Sequence, residues 1–215
     1  MSFYLFENII MFQSFFSYIF PEQCIECQKE GAVLCKNCLK KISFTPHVSH
    51  LYLPQVYLDK LEVLCSYRDS ATIKKMIYSL KYFSASHVSE ILGDMMQKNF
   101  ILSDDICITY IPMTWSRLFE RGFNQSYLLA QAFSQKKPQV LLQKIKGGTR
   151  QALLKKKERL INIENSFIFC GSAVPDKVCI IDDVASTGST LNECARILKE
   201  AGVKYVSAIV LARNE

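Results

Sequence analysis

Between residues 178 and 191 the chain reads Val178-Cys-Ile-Ile-Asp182-Asp183-Val-Ala185-Ser186-Thr187-Gly188-Ser189-Thr190-Leu191. An apolar run ends in two adjacent carboxylates, small hydroxylated residues follow around one glycine, and a helical pattern then begins. The backbone N–H groups of such a loop, together with the N-terminus of the next helix, suit a phosphate. Ser186, Thr187, Ser189 and Thr190 add hydroxyl donors, and Gly188 permits close backbone approach. Asp182 and Asp183 would repel a phosphate, so they suit sugar hydroxyls and, directly or through water, a divalent cation. An ordinary strand-to-helix turn needs only one capping Ser or Thr. Two carboxylates followed by six small residues, Ala185–Thr190, exceed that need.

Two further groups of residues have spacing that implies chemistry. Cys24-x2-Cys27 and Cys35-x2-Cys38 are separated by seven residues. Each pair offers two thiolates from one tight turn, which suits a closed tetrahedral Zn²⁺ site of structural type. Two disulfides are the alternative, and the sequence favours zinc because no secretory signal is read at the N-terminus and lasting disulfides are rare in reducing compartments. Such a segment is too short to fold on its own core, so the metal would contribute its folding energy. Arg117 and Arg121 are four residues apart and would share one face of a helix. Guanidiniums so placed after a strand end suit a diphosphate, although solvated surface arginines are the plainer reading. Asn124 and Gln125 suit the cap of the following helix.

The elements that must position these groups alternate. Strands are expected at Leu61–Tyr67, Ile106–Ile111, Val178–Ile181 and Tyr205–Leu211, and helices at Ala71–Tyr82, Ala85–Phe100, Gln125–Gln135 and Leu191–Ala201. Strand–helix–strand order with short crossovers implies a parallel sheet in an α/β fold. The 215 residues, 49% of them hydrophobic and with only 8 Gly and 6 Pro, exclude collagen, a disordered tail and a low-complexity array. Residues 1–20 carry Leu5, Ile9, Phe12, Phe16 and Phe20 at helical spacing. This reads as an amphipathic helix packed on the protein, with at most weak peripheral membrane contact, since the basic residues of interfacial helices are missing. Cys65, Cys107, Cys170, Cys179 and Cys194 are expected as small core residues.

The segment Ile111-Pro112-Met-Thr-Trp-Ser-Arg117-Leu-Phe-Glu-Arg121-Gly122-Phe123-Asn124-Gln125 resembles the V-P-x4-R-x3-R-G-F-N-Q block of ComF-family proteins. The loop at 182–190 resembles the signature of type I phosphoribosyltransferases, which bind 5-phosphoribosyl 1-diphosphate (PRPP). Leu80-Lys81-Tyr82, Thr149-Arg150-Gln151, Asn162, Phe167 and Leu211-Ala212-Arg213 agree with the ComF pattern, and Ser186 departs from it where many members carry threonine. The resemblance covers about residues 18–213. It implies an N-terminal zinc finger and a phosphoribosyltransferase-like parallel sheet flanked by helices. The expected organisation is residues 1–45 for the amphipathic helix and zinc finger, 46–60 for a linker and 61–215 for the phosphoribosyltransferase-like domain. By the same resemblance Asp182 and Asp183 hold the ribose hydroxyls, Ala185, Ser186, Thr187, Gly188, Ser189 and Thr190 cradle the 5′-phosphate, Arg117 and Arg121 meet the diphosphate, and Mg²⁺ accompanies PRPP.

Residues 136–159 hold nine Lys or Arg against Glu158, a net +8 in a chain of net +6. This segment suits a lid over the diphosphate, a site for single-stranded DNA or a plain solvated loop. Two functions are expected from the resemblance. One is a PRPP-binding protein of DNA uptake and natural transformation, with phosphoribosyl transfer open, that handles incoming single-stranded DNA in the cytoplasm and touches competence-machinery proteins. The other is a metabolic phosphoribosyltransferase acting on a small nucleobase-like acceptor with no DNA role.

Overall fold

The computed structural model describes residues 22–42, 44–68, 71–81, 85–134, 137–145 and 166–213. The expected helix in residues 1–20, and residues 136 and 146–159 of the basic segment, lie outside them. The chain parts into two units after residue 43.

In the first unit the Cys24–Cys27 turn is closed by backbone bonds from Gln28 N–H to Cys24 C=O (2.7 Å) and from Cys24 N–H to Lys29 C=O (2.9 Å). Gln28 sits at φ 63°, in the left-handed region the turn demands. Gln23 and Glu30 form an antiparallel bridge, and a short helix α1, Lys36–Leu39, starts at Cys35 and carries Cys38 inward.

The second unit runs β1 (His47–Ser49), β2 (Lys60–Ser66), α2 (Ala71–Ser79), α3 (Ala85–Asn99), β3 (Cys107–Tyr110), α4 (Trp115–Arg121), α5 (Gln125–Ser134), β4 (Leu142–Lys144), β5 (Phe167–Phe169), β6 (Lys177–Ala185), α6 (Ser189–Glu200) and β7 (Tyr205–Arg213). Five strands form one sheet in the order β1-β2-β7-β6-β3. β2, β7, β6 and β3 are parallel, as the alternating pattern predicts. β1 joins antiparallel, with His47 opposite Val63 and Ser49 opposite Leu61, so the sheet is mixed. β4 and β5 make a separate antiparallel pair that the sequence pattern did not predict.

Every residue of β7 from Val206 to Arg213 is buried, the mark of a central strand covered on both faces. Leu191, Cys194, Ala195 and Leu198 recur on one side of α6 and share a core with Val206, Ala208 and Val210 of β7 and with Leu142 and Phe167. Elsewhere α3 and α5 approach closely: a Cβ at Gly93 would come within 2.5 Å of the Ala132 Cβ. Gln97 seals that contact by donating to the carbonyls of Ala132 (2.9 Å) and Phe133 (2.6 Å).

The stretch expected as a linker, 46–60, is tied to the sheet and to α6. Beyond β1, the Asn192 side chain accepts from the N–H groups of Tyr57 (2.7 Å) and Leu58 (3.4 Å) and donates to the Gln55 carbonyl (2.9 Å). Asp59 accepts from Val206 N–H at 2.7 Å and pairs with Lys199 at 2.6 Å. Arg213 donates to the Ser49 hydroxyl and, at 2.8 Å, to the His50 carbonyl. Linkers are read from polar, proline-bearing composition, and such composition does not register bonds made to residues more than a hundred positions away.

Of the five scattered cysteines, Cys65, Cys179 and Cys194 are buried as expected, whereas Cys107 is half-buried and Cys170 is exposed. Cys107 lies on the edge strand β3, and Cys170 follows the short strand β5, where one face is open.

Replacing Asn192 by Ala should leave the N–H of Leu58 and its neighbours without their acceptor, at about 1–3 kcal/mol. The expected result is a fall in Tm of roughly 3–10 °C in thermal unfolding. An unchanged Tm would mean that the segment before β2 is held by other contacts.

Candidate functional site

The carboxyl ends of β3 and β6 lie side by side, with Ile111 N–H bonded to the Ile181 carbonyl at 3.2 Å. In parallel α/β sheets this end of the strands is where ligands bind. β6 continues past the point where β3 stops, so Asp182 and Asp183 emerge into a cleft of about 280 Å³. Asp182, Asp183, Thr190, Arg117 and Lys144 all line it, with Thr114, Ser116, Gln125 and Ser126.

The start of α5 closes one wall. Asn124 caps that helix, its side-chain oxygen accepting from the N–H groups of Ser126 (2.9 Å) and Tyr127 (3.4 Å). Its amide nitrogen donates to the Ile111 carbonyl at 3.0 Å, which fixes the cap to the end of β3. The capping role expected for Asn124 is thus present. It delivers Ser126, whose hydroxyl donates to Asp182 Oδ1 at 2.7 Å.

Burial raises the Asp182 carboxyl above its ordinary range, and the neighbouring Asp183 charge raises it further; only the Ser126 hydroxyl and the Asp183 N–H oppose the shift. Asp183 is also raised by burial, against the pull of the Lys81 charge and the Val184 N–H, which donates to its side chain at 2.9 Å. Lys144, half-buried over the Phe167 ring, is lowered by burial and by Arg117. The cleft therefore gathers two carboxylates that resist ionisation together and two cations that repel each other, a balance that a ligand bearing hydroxyls, a metal ion and phosphates would relieve.

The loop after β6 turns at Gly188, φ 77°, which is the left-handed cap of α6. A Cβ there would be strained by that φ and would also meet the Leu51 side chain at 2.2 Å. Thr187 and Ser189 are joined through their hydroxyls at 2.6 Å, and Ser189 N–H lies 3.3 Å from the Thr187 hydroxyl. Ala185 is buried, Ser186 is exposed, and of the loop residues only Thr190 lines the cleft.

The two arginines of α4 separate. Arg117 lines the cleft, while Arg121 bonds Gln125 Oε1 at 3.3 Å and does not line it. Sequence reasoning missed Ser126 and gave no particular weight to Lys144 within its basic run. Ser126 carries no signal of its own, since its position follows from the Asn124 cap. Lys144 is the one described lysine of the basic segment that lines the cleft.

In the first unit, the Sγ atoms of Cys24, Cys27, Cys35 and Cys38 lie within 4.8 Å of one another, and Cys27 and Cys35 are 3.7 Å apart. Tetrahedral zinc with Zn–S near 2.3 Å requires sulfur–sulfur separations of about 3.8 Å. All four cysteines are free thiols. Burial raises Cys24, but the N–H groups of Cys35, Cys27 and Glu26 outweigh it and bring the thiol down to about 6. Cys35 is also lowered, by the N–H and thiol of Cys38. Cys38 is pushed up by its hydrogen bond with Cys35, by burial and by the remaining thiols. Four sulfurs this close cannot all ionise unaided, and a dication makes it favourable. The donor set and geometry fit a metal such as zinc.

This fold and loop define a phosphoribosyltransferase-type α/β domain, here preceded by a four-cysteine module. The phosphoribosyl transferase domain family matches residues 133–215, which span β4 to β7 and the Asp182–Thr190 loop. Over a longer stretch the chain is similar to Competence protein F of Haemophilus influenzae, 26% identical over 228 residues, covering 90% of this chain and 98% of that protein. It is similar to Competence protein ComFC of Streptococcus pneumoniae, 27% identical over 201 residues, covering 93% and 84%. DNA utilization protein YhgH of Escherichia coli is 26% identical over 153 residues, covering 66% and 67%. The chain is thus a homologue of the ComF-family competence proteins, as its arginine block and cysteine pairs implied.

Two outcomes follow. Elemental analysis should find about one zinc per chain, and Cys27→Ser with Cys38→Ser should lose it. For Asp182, the folded state holds a proton that the unfolded carboxyl releases above about pH 4. Stability is then lost as pH rises from there through the raised folded value. Asp182→Asn keeps an acceptor for Ser126 and removes this loss, so the variant should melt a few degrees above the parent at pH 8 and much less so at pH 5. A gain independent of pH would contradict it.

Proposed function

We propose that this chain is a PRPP-binding ComF-family protein that acts in DNA uptake and natural transformation, handling incoming single-stranded DNA in the cytoplasm, with phosphoribosyl transfer open. The observation that carries the PRPP half is the single cleft lined by Asp182, Asp183 and Thr190 together with Arg117 and Lys144. PRPP has three parts, and the cleft offers a chemistry for each. The two carboxylates suit the ribose hydroxyls. The Ala185–Thr190 loop and the start of α6 suit the 5′-phosphate. Arg117 and Lys144 suit the diphosphate, Arg117 as a planar fork and Lys144 as a point charge.

Mg²⁺ fits the same place, because hard carboxylate oxygens are its preferred protein ligands and it keeps substrate phosphates as partners. When bound it would neutralise charge on the diphosphate. The protein's own part is to hold the ribose through Asp182, with Ser126 fixing the carboxylate's orientation, and to set the diphosphate against Arg117 and Lys144. Withdrawal of the carboxylates from water strengthens each of these contacts. DNA uptake as the setting is supported by similarity over most of the chain to proteins named for competence and DNA utilization. The stretch 136–159, net +8 in sequence, carries the sign of charge that a phosphate backbone attracts.

Thermal shift tests the ligand. PRPP with Mg²⁺ should raise Tm by several degrees at saturating concentration. Asp182→Ala with Asp183→Ala should abolish the rise, and Lys144→Ala or Arg117→Ala should weaken PRPP binding by roughly tenfold or more. Absence of any shift in the parent chain would sink the PRPP reading. Release of diphosphate in the presence of nucleobase acceptors would identify transfer chemistry, and its absence alongside a clear shift would define a binder.

A further inference from the structure

The chain has a single tryptophan, and it is on the surface. Trp115 is 73% exposed and Phe119 is 93% exposed. Both stand on α4, a helix of seven residues with no buried residue. The spacing of four places the two rings on the same side of the helix. Large aromatic rings are normally the most heavily buried side chains, and neither the fold nor the cleft uses these two: they contribute to no core and do not line the PRPP site. They stand at its rim nonetheless, because Thr114, Ser116 and Arg117, their neighbours in the chain, do line it.

We infer that Trp115 and Phe119 form a stacking platform for unpaired bases of single-stranded DNA at the mouth of the cleft. The inference rests on the proposed single-strand function and assigns it a surface. The surroundings favour nucleic acid over a protein partner or a second copy of the chain. The exposed residues between and beside the rings are Ser116, Arg117 and Glu120, without the aliphatic patch a protein contact would bury. Arg117 and Arg121 lie on the other side of the same helix. A helix is only about 10–12 Å across with its side chains, so the exposed Arg117 puts positive charge beside a strand whose bases lie on the rings, while Arg121 is engaged with Gln125. Aromatic faces beside cations are the recognition chemistry of unpaired strands, tolerant of sequence because every base has a flat face. The helix is also held firmly enough to present them. Gly122 closes its C-terminus in the left-handed conformation, its N–H bonding the Leu118 carbonyl at 2.8 Å.

Because Trp115 is the only tryptophan, fluorescence of the full-length protein excited at the red edge, where its ten tyrosines do not absorb, reports on this position alone. The free protein should emit as a water-exposed indole. Titration with an unlabelled thymidine oligonucleotide of about 16 nucleotides should quench that emission in step with binding followed by anisotropy of a labelled copy. Trp115→Ala and Phe119→Ala should each weaken oligonucleotide binding by roughly 10- to 100-fold while leaving the PRPP thermal shift unchanged. Both side chains are exposed, so the variants should fold. If the oligonucleotide binds but Trp115 emission does not respond and Phe119→Ala binds normally, the strand lies elsewhere and only this inference falls. If no oligonucleotide binds, the single-strand function falls with it, while the PRPP reading stands or falls on its own assay. An indole already shielded in the free protein, or a Trp115-dependent dimer in sedimentation, would assign the rings to a protein contact and overturn the inference.

Discussion

Two adjacent carboxylates at the end of β6, Asp183 buried and Asp182 half-buried in the cleft wall, set the terms for the rest of the larger unit. Their charges disfavour each other, and burial disfavours both. Such a pair persists only where the surroundings over-determine it. β6 is a central parallel strand whose position is fixed by bonding to β7 on one side and β3 on the other. From β3 the Asn124 cap reaches back to Ile111 and presents Ser126 to Asp182. From the turn after α2 the Lys81 charge acts on Asp183. The carboxylates are thus held by two elements that follow from the parallel sheet and by one hydroxyl supplied through a cap.

The legible part of the site was local in sequence. Asp182 to Thr190 occupy consecutive positions, so their types alone state a strand, a turn and a helix start. Cys24, Cys27, Cys35 and Cys38 have a spacing that few other chemistries need. The Arg117–Gln125 block is similarly contiguous. What was not legible is non-local. β1 and the Gln55–Leu58 segment read as a linker because their partners, Leu61–Val63, Arg213 and Asn192, are met only in the fold. β4 and β5 have three residues each, too few for a period to register. Ser126 is one serine among many until Asn124 places it, and Cys170 and Cys107 are surrounded in sequence by apolar residues yet lie where strands leave a face or an edge open. Arg121 was grouped with Arg117 by helical spacing, but the helix ends there and its side chain turns to Gln125.

The two units solve related problems with different atoms. In the first, four thiols crowd within 4.8 Å; in the second, two carboxylates share a cleft with two cations. Both arrangements concentrate like charges beyond what solvent would favour, and both become favourable only when something of complementary charge or hydrogen bonding enters. The thiol cluster is closed, with every position filled by protein, which fits a structural ion. The cleft is open on one side, which fits an exchangeable ligand.

That difference bears on how occupancy would act. Gly188 holds its left-handed turn because it has no Cβ, and Leu51 fills the space where a side chain would project; a few residues on, Asn192 ties down Gln55–Leu58. The loop at Ala185–Thr190, the cap bearing Ser126 and the segment before β2 are each fixed by one or two polar side chains. A cleft built this way concentrates unfavourable electrostatics, so a ligand that pairs the carboxylates and the cations stabilises the fold as it binds, by mass action alone. On the proposed reading, PRPP need not be consumed to matter. Its binding alone would stabilise the unit whose α4 carries Trp115 and Phe119.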